Sequence, residues 1–307
     1  VHLDSTDKKL LNLLQREFPL TREPFTELGW RLGIDGDAVI ARIVQLKARG
    51  IVRQISPVLD ARRLGYQTTL VAMRVAADQQ REAERAISQH PRVSHGYERE
   101  HYFNLWFTLA MPRGTDAETD IRQLAASFPA EAILVLPAVK VFKIGAYFDM
   151  DGEDDREVPA PVGSRLPQPA ELSSRERSIL TELQQDLPLV PAPFDAMAEC
   201  LSMKLEDFLT QCRSLLERGI MRRFGAAINH NRAGFSANAM TCWIAPPDIV
   251  DAAGRRLASL RQVSHCYERK TAPLWPYNLF AMIHGQHREA CQQLAAAVSA
   301  DIGLTDY

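Results

Sequence analysis

The chain has 307 residues, a length that suits about two domains. Its 46% hydrophobic and 24% charged residues are ordinary for a globular protein and exclude a disordered polymer. A net charge of -2 argues against a nucleic-acid binder, which shows a basic excess, and no apolar run reaches the ~20 residues needed to span a bilayer.

The opening Val1-His2-Leu3-Asp4 shows no basic region followed by an apolar stretch, so no signal peptide is read and a cytoplasmic location is expected. The cysteines are Cys200, Cys212, Cys242, Cys266 and Cys291. None forms a CxxC pair, and their scatter suits free thiols in a reducing compartment.

In Ser5 to Glu17, Leu10, Leu11, Leu13 and Leu14 take the spacing of one buried helix face, with Ser5 or Thr6 placed to cap it. Phe25 to Leu32 predicts a second helix ending near Gly33. Asp35 to Arg49 predicts a third, stopped by Gly50. Ile51 to Leu59 reads as a strand pair, which completes a winged helix-turn-helix over residues 1–60.

Residues 61–150 then alternate strand and helix. Strands are expected at Thr68 to Val75, Val93 to Tyr97, Asn104 to Met111 and Ile133 to Phe148, with helices at Glu82 to Gln89 and Asp116 to Ser127. This βαββαβ order is ferredoxin-like. Residues 151–170 are rich in proline and acidic side chains and read as a connector.

The rest of the chain repeats the first part. Leu3 to Leu70 aligns with Leu172 to Ala239 without a gap. Arg49-Gly50-Ile51 meets Arg218-Gly219-Ile220, and Arg53 meets Arg222. Val93-Ser94-His95-Gly96-Tyr97-Glu98-Arg99 meets Val263-Ser264-His265-Cys266-Tyr267-Glu268-Arg269. A second winged helix is therefore expected at 171–232 and a second ferredoxin-like domain at 233–307. The fold class is α+β, as a tandem repeat. Nothing in repeat two matches Leu134 to Phe148.

A winged helix followed by a βαββαβ domain resembles the Lrp/AsnC family of feast/famine regulators. Two strings narrow the resemblance. One is Arg222-Arg223-Phe224-Gly225-Ala226-Ala227-Ile228-Asn229-His230. The other is His265-Cys266-Tyr267-Glu268-Arg269, followed by Trp275-Pro276-Tyr277-Asn278-Leu279-Phe280. Both look like the siroheme decarboxylases of heme d1 and alternative heme biosynthesis, with the first repeat similar to a D-type partner and the second to an L-type partner.

The resemblance implies conversion of siroheme to 12,18-didecarboxysiroheme with loss of two acetate carboxyl groups as CO2. It also implies no cofactor beyond the iron that siroheme itself carries. The expected partners are siroheme and its product, with no membrane and no DNA. Pairing of the repeats within one chain is expected, with a homodimer or contact with related pathway subunits as further possibilities.

The residues suit that chemistry. Arginine grips carboxylates through paired hydrogen bonds, and histidine is the natural proton donor near neutral pH. Alternation would put Tyr97, Arg99 and His101 on one side of a strand. They are the expected catalytic set, with Arg99 as anchor and His101 as acid. Arg53, His95, Tyr102, Arg222, Arg223, His230, His265 and Arg269 are expected to bind substrate, and His284 is a further histidine of repeat two. Histidines at strand starts are as often capping or packing groups.

The DNA-binding alternative fares poorly. The presumed recognition helix opens Asp35-Gly36-Asp37, which would meet phosphates unfavourably, although aspartate there also caps a helix. A non-catalytic tetrapyrrole-binding protein is the third reading.

Overall fold

The computed structural model describes residues 3–307 apart from 127, 146, 151–167 and 236, so most of the expected connector lies outside the described residues. The first repeat opens with α1 (Ser5–Arg16), α2 (Pro24–Leu32) and α3 (Gly36–Ala48). Asp4, rather than Ser5 or Thr6, caps α1, its carboxylate accepting from the Asp7 N–H at 2.7 Å. Asp35 does the same for α3 at 2.6 Å from the Ala38 N–H. The carboxylate at the head of the recognition-type helix is thus occupied in capping.

Then follow β1 (Val52–Leu59), β2 (Tyr66–Val75), α4 (Gln80–Gln89), β3 (Val93–Glu98), β4 (Leu105–Pro112), α5 (Ala117–Ala125) and β5 (Ala130–Ile144). The second repeat runs α6 (Ser174–Leu183), α7 (Pro193–Cys200), α8 (Leu205–Glu217), β6 (Met221–Ile228), β7 (Ala237–Trp243), α9 (Val250–Ser259), β8 (Val263–Arg269), β9 (Leu279–Gly285) and α10 (Arg288–Ile302).

The expected strand pair within 51–59 is a single strand. β1 pairs antiparallel with β6 of the other repeat, with Val52 opposite Ile228 and Ile55 opposite Ala226. An eight-residue strand cannot satisfy its own backbone groups, and the duplicated strand supplies the missing donors and acceptors. Ile55, Met221, Phe224 and Ala226 are buried in one core that α1–α3 and α6–α8 share. Gly225 fits because β6 runs hard against α1, where a Cβ would collide with the Leu14 carbonyl.

The other strands form one sheet in the order β3-β4-β2-β5-β8-β9-β7. Within repeat one, the order β3-β4-β2-β5 is that of a ferredoxin-like domain. β5 continues beyond it: Thr69 to Val75 of β2 take its first half, and Ala138 to Ile144 pair with β8. Phe142 on that second half is buried in the core between the repeat-two strands and α9 and α10. A Cβ on Gly254 would strike its ring. A separate apolar cluster joins Leu70, Trp106, Leu134 and Leu136 of repeat one to Cys242, Trp275 and Phe280 of repeat two. The faces turned away from the helices therefore pack on each other. Among the described residues, no helix is long and apolar enough to cross a membrane.

Candidate functional site

β8 carries its side chains on two faces. Val263 and Cys266 enter the helix-side core. His265, Tyr267 and Arg269 take the opposite face, where Arg269 lies over the rings of Tyr267 (4.6 Å) and Phe280 (5.5 Å). β3 repeats this arrangement, with Arg99 over the Tyr97 ring at 4.8 Å.

Each arginine donates one bond from Nη1 to a backbone carbonyl, Arg99 to Glu98 (3.2 Å) and Arg269 to Leu136 (2.9 Å). In each the Nε is buried without a hydrogen-bond partner among the described residues. Burial lowers the pKa of both, although guanidinium stays charged at any working pH. Cationic donors with an open Nε at equivalent positions of both repeats have the chemistry that takes an anionic acceptor.

The β1–β6 ribbon brings two further arginines within electrostatic reach of these groups. The charge of Arg53 bears on His95 and His230, and that of Arg222 bears on His265 and Tyr267. Arg222 is partly neutralised by Asp60, at 2.7 Å, which Arg62 also holds at 3.1 Å.

Three histidines gather in repeat two. The Ser264 hydroxyl lies 2.8 Å from His265 Nδ1 and 2.8 Å from His284 Nε2. The His230 ring stands edge-on to His284 at 5.4 Å, and its Nε2 approaches Asn238 at 3.5 Å. Phe148 packs on both His230 and His284. Gln15 of α1 holds Phe148 in place, accepting from its N–H and donating to its carbonyl, each at 3.0 Å.

Burial pushes His265 down to about 4, with the charges of His284, His95, Arg222 and Arg269 adding to it. Burial, then His230, lowers His284 to about 4. Desolvation followed by Arg53 lowers His95 and His230 as well.

This pattern gives a stability prediction. An unfolded histidine titrates near 6.5, so between pH 6.5 and 4 the unfolded chain binds more protons than the folded one. The contribution of His265 and His284 is complete above about pH 6.5 and is lost as the pH falls toward 4. The ligand-free protein should lose a few kcal/mol over that window, because each tenfold loss of proton affinity on folding is worth about 1.4 kcal/mol. His284→Gln should flatten the fall in Tm measured from pH 7 to 4.5. Parallel curves for the two proteins would disprove the assignment.

Of the residues expected from sequence, Arg53, His95, Arg222, His230, His265 and Arg269 come together here, and Tyr97 and Arg99 form the mirror of Tyr267 and Arg269. Three do not join. β3 ends at Glu98 and the chain turns, with the Arg99 N–H bonded to the Asn104 carbonyl and the His101 N–H to the Arg99 carbonyl. Strand alternation therefore does not carry through to His101. It is exposed, accepts from the Phe103 N–H at 3.2 Å and stands against Trp275. Tyr102 is 55% exposed and lies near Arg74. Arg223 is half-buried, and its guanidinium donates to the carbonyls of Gln15 and Ala226, tying β6 to α1.

Sequence reasoning missed Ser264, Tyr267, Asp60 and Phe148. The duplicated Ser-His-x-Tyr string held a signal for the first two. The repeats also differ within the site: Ala61 stands opposite His230 by alignment, and strand register sets Ala110 opposite His284. Repeat one thus has His95 where repeat two has three rings.

Comparison with known proteins bears on this arrangement. The profile of the siroheme decarboxylase NirDL-like HTH domain matches residues 7–53 and 176–222, and that of the AsnC-like ligand binding domain matches 63–143 and 232–307. A siroheme decarboxylase of Hydrogenobacter thermophilus is 38% identical over 300 residues, spanning 97% of this chain and 89% of that protein. The siroheme decarboxylase NirDL subunit of Paracoccus denitrificans is 36% identical, over 96% of this chain and 90% of its own. A siroheme decarboxylase alpha subunit of Desulfovibrio desulfuricans is 40% identical over 49% of this chain and 87% of its own. The crystal structure of the siroheme decarboxylase NirDL in complex with an iron-uroporphyrin III analogue superposes with a TM-score of 0.70 at 35% identity, covering 98% of this chain and 89% of that one.

Proposed function

The chain belongs to the siroheme decarboxylase family, and on that basis we propose that it is a carboxy-lyase acting on siroheme. It removes the C12 and C18 acetate carboxyl groups as CO2 and yields 12,18-didecarboxysiroheme. In each step R–CH2–CO2⁻ and one proton become R–CH3 and CO2. The C–C bond to the carboxyl group breaks, its electron pair stays on the methylene carbon, and a proton is added there. The macrocycle delocalises that pair, and the iron arrives with the substrate.

The single observation that carries this reading is the pair of half-buried arginines, Arg99 and Arg269, each with a buried Nε donor that has no partner among the described residues, at the same position of its repeat. Siroheme presents eight carboxylates, and guanidinium is the donor shaped to hold them. Arg53 and Arg222 add positive charge from the ribbon side. Fixing the carboxylates stabilises charge as it develops at the reacting carbon. We assign the acid role to His265, which lies among these cations, rather than to His101 on the exposed turn.

The test is anaerobic incubation of the protein with siroheme, followed by mass spectrometry. Loss of two CO2 supports the enzyme. Tight binding without a mass change means a carrier, and salt-sensitive binding to duplex DNA means a regulator. In the same assay His101→Ala should retain turnover within about threefold, whereas His265→Ala should fall by about 10²-fold or more, the usual scale for losing a proton donor. Equal rates for the two variants would refute the choice of acid.

A further inference from the structure

The Ser264 hydroxyl has one hydrogen and two imidazole nitrogens at 2.8 Å, His265 Nδ1 and His284 Nε2. It can donate to only one of them and must accept from the other. With both rings neutral, two arrangements satisfy all three groups. In the first, Ser264 donates to His265 Nδ1 and accepts from His284 Nε2–H. His265 then carries its proton on Nε2, and His284 Nδ1 is a bare lone pair. In the second, Ser264 donates to His284 Nε2 and accepts from His265 Nδ1–H. His284 then carries its proton on Nδ1, and His265 Nε2 is the lone pair. The two rings therefore always share a tautomer, and one end of the triad offers a proton whenever the other can take one.

The ends of this chain of groups face different surroundings. His265 is the end influenced by Arg222, Arg269 and His95, the anion-binding side. His284 Nδ1 is buried and has no hydrogen-bond partner among the described residues, and two rings stand against its imidazole, Phe148 at 5.2 Å and the titratable His230 at 5.4 Å. His230 is only partly buried and so can exchange protons with water.

We infer that Ser264 is a positioning residue that passes a proton from His284 to His265, so that His265 can protonate the carbon left by loss of CO2. The inference rests on the decarboxylase reading above. In one pass His265 Nε2–H goes to the methylene carbon, Ser264 O–H to His265 Nδ1, and His284 Nε2–H to the Ser264 oxygen. His284 Nδ1 takes the replacing proton from the His230 side. Each acetate consumes one proton and leaves both rings protonated on Nδ1. Before the next, each ring loses its Nδ1 proton to water and gains one on Nε2 from water, and the Ser264 hydroxyl turns back to His265.

Repeat one lacks the device. Ser94 contacts His95 Nδ1 at 3.1 Å, but its other bond is to the Thr108 carbonyl at 3.4 Å, and Ala110 stands where His284 would. Proton delivery is thus built into the second repeat, although both repeats offer an arginine anchor.

The test uses the full chain and siroheme under anaerobic single-turnover conditions in mixtures of H2O and D2O. The wild-type rate should depend on deuterium fraction along a curve, because more than one proton moves. Ser264→Ala should lower the rate about 10–100-fold, leave siroheme affinity by absorbance titration within about twofold, and turn the curve into a line. Ser264→Thr should restore most of the rate by restoring the hydroxyl. Ser94→Ala should change neither rate nor curvature.

Histidine 15N spectra of the ligand-free protein give a readout apart from turnover. His265 and His284 should show matching tautomers in the wild type and lose that match in Ser264→Ala. A wild-type rate in Ser264→Ala, a threonine variant as slow as the alanine one, or unlike tautomers in the wild type would each overturn the relay. A wild-type protein that leaves the mass of siroheme unchanged would instead overturn the decarboxylase reading beneath it.

Discussion

Arg269→Met should lower kcat/KM for siroheme by about 10²–10³-fold while leaving the protein folded. Methionine keeps an apolar stem of similar length over Tyr267 and Phe280 and removes only the charged fork. What is lost is a charge-assisted, two-point hold on a carboxylate in a desolvated place. At about 1.5–2 kcal/mol per hydrogen bond, the lower part of the span for bonds to a charged group, two such bonds account for that loss. Arg269→Lys should fall between, because an ammonium keeps the charge but not the planar pair of donors.

The same change should act in the opposite sense on the empty protein. Arg269 there is a half-buried cation whose buried Nε has no partner among the described residues, so its removal should raise the Tm of the ligand-free protein. Product quantified by chromatography and a thermal melt together check the assignment. A kcat/KM within threefold of wild type would mean that Arg269 is not an anchor.

Phe142→Ala should destabilise the folded protein by about 3–5 kcal/mol, the range for truncating a buried phenylalanine. The residue is 1% exposed and belongs by sequence to repeat one, yet it fills the core of repeat two beneath Gly254. The cavity cannot close by a local shift, because Ala138 to Ile144 are hydrogen-bonded to β8. Urea melts followed by tryptophan fluorescence should show a lower midpoint for the repeat-two core, which contains Trp243. A loss below about 1 kcal/mol would show that this half-strand is not held by its aromatic plug.

The helices and most strands could be read from the sequence because their periodicities are local. Leu10, Leu11 and Leu14 announce a buried helical face without reference to any other segment, and the observed α1 buries those three side chains. The duplication made the tandem organisation plain. What escaped depended on groups far away in the chain. The partner of Val52 to Leu59 is Met221 to Ile228, which no local pattern announces, so the segment resembled a hairpin.

The site divided along the same line. Residue types and the repeat picked out most of its arginines and histidines. The turn after Glu98 removed His101 from the face that alternation assigned to it. Asp60 claims part of Arg222, and carbonyls of α1 and β6 claim Arg223, so an arginine's availability is a tertiary property. Ser264 was passed over because a lone serine carries no signal until two imidazoles are found around it.

β5 gives this molecule an unusual relation to its own backbone continuity. The two repeats are joined across β1 with β6 and across the end of β5 with β8, and Phe142 locks the second seam. Main-chain hydrogen bonds, an aromatic plug and the two apolar clusters to which both repeats contribute hold one half to the other. Severing the chain between the two repeats would lower the effective concentration of each half for its mate but leave the seams intact.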